Sequence, residues 1–107
     1  MSGNPTVVDA PEAGRYELRL GDAVAGYVEY RRRDDATSFT HTLVEQEYGG
    51  RGFGSILIRG ALDAERAAGH AVLPYCPFVR GFVEKHPDYL DLVPAARRGG
   101  FSLPEES

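Results

Sequence analysis

The chain is poor in cysteine and lysine, and it lacks any long apolar run. Cys76 is its only cysteine, so no intramolecular disulfide can form and a reducing compartment is expected. No apolar stretch approaches the roughly 18 residues of a membrane span. No basic segment leading into an apolar run opens the sequence, so no signal peptide is expected. Together these absences predict a cytoplasmic protein with no membrane partner. Lys85 is the only lysine, and the net charge of −4 argues against a general nucleic-acid binder. The three histidines and one cysteine show no paired ligand spacing, so no metal is expected. Arg31-Arg32-Arg33, beside Asp34-Asp35, reads as a solvated turn.

What the chain does have is glycine concentrated in one place. Within Glu47 to Ser55, four glycines (Gly49, Gly50, Gly52 and Gly54) fall in six positions, and an apolar-periodic stretch follows at once. A glycine-rich loop opening into a helix aims free N–H groups and the positive dipole end at one spot, which suits a phosphate.

A length of 107 residues suits one domain with a two-layer core. Residues 1–14, with Asn4-Pro5 and Ala10-Pro11, read as an N-terminal arm with room for a short strand at Val7-Val8. Residues 15–93 read as the domain. Tyr16, Leu18 and Leu20 alternate on one strand, and Val24, Gly26, Val28 and Tyr30 on the next. Thr37 to Val44 makes a third, rich in β-branched residues. Short turns between them predict an antiparallel meander.

From Phe53 the period changes to about 3.6, with Phe53, Ile56, Leu57, Gly60, Ala61, Ala64 and Ala68 in one stripe. Gly69 suits the C-terminal cap. Ala71 to Tyr75 predicts a strand parallel to an earlier one across this helix. Pro74 cannot donate a ladder bond, so that strand sits at an edge or splays from its neighbour. A second helix is predicted from Pro77 to about Lys85, with Cys76 as N-cap and Phe78, Val79, Phe82 and Val83 buried. Tyr89 to Val93 suits a further turn packed on the core. Residues 94–107 read as a mobile tail.

The loop fails two familiar phosphate patterns. Gly49 and Gly54 have the Walker spacing and Ser55 follows, but the lysine is missing. A dinucleotide fingerprint would need glycine or alanine where Ser55 stands, and the antiparallel context is wrong for it. Gly52-Phe53-Gly54 fits the second half of the Gln/Arg-x-x-Gly-x-Gly/Ala pyrophosphate loop of the GNAT superfamily, with Gly49 where Gln or Arg would stand. His41-Thr42-Leu43-Val44, the loop, Pro74-Tyr75-Cys76-Pro77-Phe78-Val79 and His86-Pro87-Asp88-Tyr89 follow in that order. From about Tyr16 to Val93 the chain resembles the small single-domain YjdJ-like branch of that superfamily.

The resemblance implies a CoA or acetyl-CoA ligand, N-acetyltransferase-like activity and a minimal α/β (α+β) fold: a meander, a βαβ crossover carrying the loop, and a helix after the last strand. On this reading Gly49, Gly50, Arg51, Gly52, Phe53, Gly54 and Ser55 hold the pyrophosphate. Backbone groups of Thr42, Leu43 and Val44 pair with the pantetheine arm where the strands diverge. The acceptor is an amine on a small molecule or a protein.

Four residues are candidates for the chemistry. Cys76 at a helix start is either a nucleophile favoured as thiolate by the dipole or a small core residue. His41 shares a predicted strand face with Phe39 and Leu43, and is either a base or a structural histidine. Tyr75 and Tyr89 are either acids for the departing thiolate or packed phenols. A CoA-binding module with little or no turnover is the competing function, because little chain remains to build an acceptor pocket.

Overall fold

The computed structural model describes residues 4–46 and 52–104. Strands β1 (Thr6–Ala10), β2 (Arg15–Leu20), β3 (Ala23–Arg33) and β4 (Ala36–Val44) run antiparallel, each paired with the one before it. Helix α1 (Phe53–Ala68) crosses one face of the sheet. Strand β5 (Ala71–Pro74) then returns parallel to β4, giving the order β1-β2-β3-β4-β5. Helix α2 (Pro77–Lys85), a 3-10 segment (Pro87–Leu92), a short α3 (Ala95–Arg98) and a last 3-10 turn (Gly99–Phe101) complete the chain.

The element types follow from the local sequence. Gly69, left-handed at φ 76°, ends α1 by donating to the carbonyls of Arg66 and Glu65. Pro77 opens α2 with Cys76 as its N-cap, and His86-Pro87 closes it.

Two β-bulges among the described residues decide which side chains reach which face. Leu18 pairs with Gly26 but Arg19 pairs with Val24, so Ala25 is the extra residue in β3. The alternation slips there: Ala25 is buried and Val24 exposed. In β4, Tyr30 pairs with Phe39 and Glu29 with His41, so Thr40 is extra. Phe39 is buried beneath α1, whereas His41 is exposed on the opposite face with Tyr27, whose ring centre lies 6.3 Å away. His41 therefore does not share a face with Phe39, and the bulge is the reason.

The core lies between the inner face of the sheet (Tyr16, Leu18, Val28, Phe39 and Val72) and α1 with α2. The buried side of α1 is Leu57, Ile58, Ala61, Leu62 and Glu65, rotated from the predicted stripe so that Ile56 is exposed. Gly60 explains the rotation. It faces β1, where an added Cβ would stand 2.6 Å from Val7 Cγ2, so the helix lies hard against the first strand. Thr6–Ala10 of the N-terminal arm is thus an edge strand of the sheet. On α2, Val79, Phe82 and Val83 are buried as expected, but Phe78 is half exposed.

Beyond Val93, where the sequence suggests a tail, Phe101 and Leu103 belong to the core and Phe101 packs edge-on against Tyr75 at 5.1 Å. Burying each side chain contributes about 2 kcal/mol. Two apolar residues separated by one serine, after Gly99-Gly100, show no helical or strand period in the sequence.

Candidate active site

The sheet opens into a fork where β4 and β5 part. Their parallel ladder ends at Phe39 opposite Pro74. Pro74 has no N–H to continue it. One more bond, from the Cys76 amide to the Phe39 carbonyl at 2.8 Å, ties the base of the fork. Residues 41–44 of β4 continue with β3 alone, so their other edge has no strand partner among the described residues. The bulge at Thr40 bends β4 at the same level. Proline on one strand and an extra residue on the other thus produce the divergence together.

Cys76 and Thr42 meet inside the fork. The Cys76 sulfur lies 3.1 Å from Thr42 Oγ1, and the cysteine is only 3% exposed. The bulge makes the contact possible, because it brings Thr42 to the inner face opposite Val28. Tyr75, next to Cys76, points the other way and is 54% exposed. Its hydroxyl oxygen accepts a 2.8 Å bond from Arg97. His41 and Tyr75 both lie on solvent-facing parts of the fork.

Tyr89 is elsewhere. Its hydroxyl donates to Asp63 at 2.7 Å and accepts from Arg59 at 3.2 Å, both on α1. Burial, and then the Asp63 carboxylate, push its pKa up. The pair Arg59 and Asp63, spaced for a direct helix contact, is instead bridged by this phenol.

The glycine loop enters α1 at Gly52, which is left-handed at φ 74° and acts as N-cap. The helical ladder begins with the Ile56 amide donating to the Gly52 carbonyl, so the amides of Gly54 and Ser55 have no acceptor within the helix. Gly54 is required by space rather than by φ: an added Cβ would stand 2.5 Å from Phe78 Cζ. Phe78 therefore lies directly over the first turn of α1. Beside it, Ser55, Phe78, Gly81, Phe82, Lys85 and His86 line a groove of about 240 Å³. Of the predicted loop ligands, Gly49, Gly50 and Arg51 lie outside the described residues.

Sequence reasoning missed the group that fixes α1 in place. Glu65 is fully buried beneath the sheet. It accepts from Tyr16 and Thr37 at 2.5 Å and from Arg32 at 2.6 Å, and His70 Nδ1 lies at 2.8 Å. Burial alone would raise its pKa, but donors from Thr37, Tyr16, His70 and Arg32 outweigh it and the net shift is downward. Burial, and then the same contact with Glu65, push the Tyr16 pKa upward. Arg32, which looked like part of a solvated turn, thus bonds to Glu65 from the strand position opposite Thr37, while Arg31 and Arg33 occupy the alternate positions of the strand. Glu65 thus ties α1 to three strands.

Residues 15–92 match the family model of the GCN5-related N-acetyltransferases. The chain belongs to the GCN5-related N-acetyltransferase family. A GCN5-like protein from Staphylococcus aureus, solved in solution by NMR, shares the fold with a TM-score of 0.63 over 82% of this chain and 86% of that one, at 21% identity. No curated protein matches the chain. Among the described residues, no group of three or more His, Cys, Asp or Glu side chains could hold a metal ion.

Proposed function

We propose that this GNAT domain transfers an acetyl group from acetyl-CoA to an amine, with the thioester held in the fork between β4 and β5. The single observation that carries the reading is the end of the β4–β5 ladder at Phe39 and Pro74, which leaves the edge of residues 41–44 ready for an extended amide chain. The amides of Gly54 and Ser55 then face the pyrophosphate at the positive end of a 16-residue helix. The groove beside Phe78 and Lys85 suits the nucleotide end, offering an aromatic surface and a cation. Within the family, the Cys-Pro-Phe and His-Pro-Asp-Tyr elements favour the small YjdJ-like branch. A lone buried cysteine fits a reducing compartment such as the cytoplasm.

The chemistry follows from the two faces of the fork. The acceptor nitrogen attacks the thioester carbonyl carbon, the C–N bond forms, and the C–S bond breaks. His41, exposed on the outer face just past the bulge, takes the proton from nitrogen and returns it to solvent. Tyr75 keeps its own O–H while its oxygen accepts from Arg97, so it can protonate the departing sulfur and regain a proton from water. Cys76, 3% exposed and held against Thr42, shapes the inner wall. This reading is direct transfer rather than passage of the acetyl group through the Cys76 sulfur.

Incubation with acetyl-CoA and a panel of primary amines tests the proposal, with free thiol and acetylated product both measured. Equal amounts of thiol and acetyl-amine are expected. CoA binding with neither product would instead make the domain a CoA-binding module. No binding at high micromolar CoA would remove both readings.

A further inference from the structure

On the outer face of the sheet, away from α1, a second groove of about 530 Å³ runs along β4. Arg31 and Arg33 of β3 line one end, with Asp34 at the hairpin turn, and Thr40 and Tyr75 line the other. Ser38 and Leu73 lie between them. The groove thus ends at the fork, beside the bulge residue and the tyrosine that precedes Cys76.

The charge in this groove is unusual for an acidic chain. Arg15 and Arg19 clamp Glu17, Arg32 holds Glu65, Arg59 donates to Tyr89, and Arg66 is paired with Asp91. Arg31 and Arg33 are exposed and make no hydrogen bond or ion pair among the described residues. They share the outer face because Arg31 pairs with Ser38 and Arg33 with Ala36, both facing away from the core. Arg97, donating to Tyr75, adds a third cation at the rim. Asp34 is the one carboxylate in the lining.

The register gives a length scale. Ser38 is two residues and Ala36 four residues from Thr40 along β4. At about 3.3 Å per residue, the backbone positions opposite Arg31 and Arg33 stand about 7 and 13 Å from Thr40.

We infer that the acceptor is an amine bearing an anionic group, bound with its nitrogen at the Thr40–Tyr75 end and its anion at Arg31 and Arg33. The inference rests on the reading of the fork as the site of acetyl transfer, and deepens it by naming the class of acceptor. Two unpaired guanidinium groups at the far end of the groove select a carboxylate or phosphate, to which each can donate a pair of N–H groups. They repel a second amine in the same place.

The test has a binding arm and a turnover arm. The probes are 6-aminohexanoate, 6-aminohexyl phosphate and 1,6-diaminohexane, which share a chain and differ in the terminal charge. NMR titration of the wild type should shift resonances of Arg31, Arg33 and Tyr75 with the two anionic amines, and much less with the diamine. The double variant Arg31→Ala/Arg33→Ala should weaken binding of both anionic probes by at least about fivefold, the scale expected for two exposed charge contacts. The stronger of the two anionic probes identifies carboxylate or phosphate as the natural group. In turnover, kcat/KM should favour the anionic amine in the wild type, and the preference should vanish in the variant with CoA affinity unchanged.

Equal binding of all three probes, or equal loss for all three in the variant, overturns the inference. Acetyl transfer without charge preference would leave the fork reading standing and remove the acceptor class. Anion binding at Arg31 and Arg33 without transfer to any amine would remove the fork reading and leave an anion-binding groove.

Discussion

The sulfur of Cys76, two residues past the end of β5, stands 3.1 Å from the hydroxyl oxygen of Thr42 on β4, across the fork where those strands part. The contact depends on two irregularities: a proline that ends one strand's pairing and a bulge that turns the other by one residue. It also divides the fork into a buried inner wall, with Cys76, and an open outer side, with His41 and Tyr75.

That division predicts how Cys76→Ser behaves. The serine hydroxyl can still meet Thr42, so CoA affinity should be kept and kcat should stay within about threefold of the wild type, as for a residue outside the bond-making steps. Intact-mass measurement after incubation with acetyl-CoA should show no acetyl group on Cys76. A loss of activity of about a hundredfold or more, or an acetyl adduct on that residue, would mean that the sulfur carries the acetyl group.

The two glycines at the start of α1 should fail for different reasons. Gly52→Ala meets no neighbour within 4 Å, but it forces a side chain into a left-handed backbone, costing about 1 kcal/mol. Gly54→Ala brings a Cβ to within 2.5 Å of the Phe78 ring and must displace it. Thermal stability should therefore fall for Gly54→Ala, and by less when the same substitution is made in a Phe78→Ala background. An equal fall in both backgrounds would show that Phe78 is not the obstructing group.

Glu65 makes the stability of the domain acid-sensitive. Its pKa is below the ordinary 4.5 in the folded chain, so the folded state favours the carboxylate. The associated stability is present above the unfolded value and is lost as pH falls through the folded one. Glu17 and Asp91, also shifted down by arginine partners, act in the same direction. Thermal denaturation should thus show stability declining below about pH 4.5. Glu65→Gln should cost about 3 kcal/mol at neutral pH, because it leaves Arg32 facing a neutral group in a buried network. A variant as stable as the wild type would contradict the role assigned to this network.

Tyr89→Phe separates packing from catalysis. The phenol bridges Asp63 and Arg59, so its removal should cost about 1 kcal/mol of stability and leave kcat and its pH profile unchanged. A large fall in kcat with stability intact would place Tyr89 in the chemistry.

Much of this was readable in the sequence because it rests on local signals. The change of period at Phe53, the cap at Gly69 and the Cys76-Pro77 helix start are each dictated by neighbouring residues. Pro74 announced the fork, since a residue without an N–H can serve only an edge or an ending strand. The bulges at Ala25 and Thr40 were not readable. A bulge is set by the pairing of two strands, and one extra residue reverses the facing of His41 without altering the local pattern. The burial of Glu65 was hidden as well. A charged residue on a predicted helix reads as solvent-facing, and its four partners lie between 5 and 49 positions away. Phe101 and Leu103 were lost among glycine and charge, because long-range packing against Tyr75 and the rest of the core orders them.

The placement of the CoA thioester in the fork is tested most directly by NMR titration of the labelled protein with CoA. Binding should shift the amides of Thr42, Leu43 and Val44 together with those of Gly54 and Ser55, while those of Val7 and Val8 on the far edge stay fixed. Saturable binding that leaves both the 42–44 edge and the start of α1 unshifted would contradict the account.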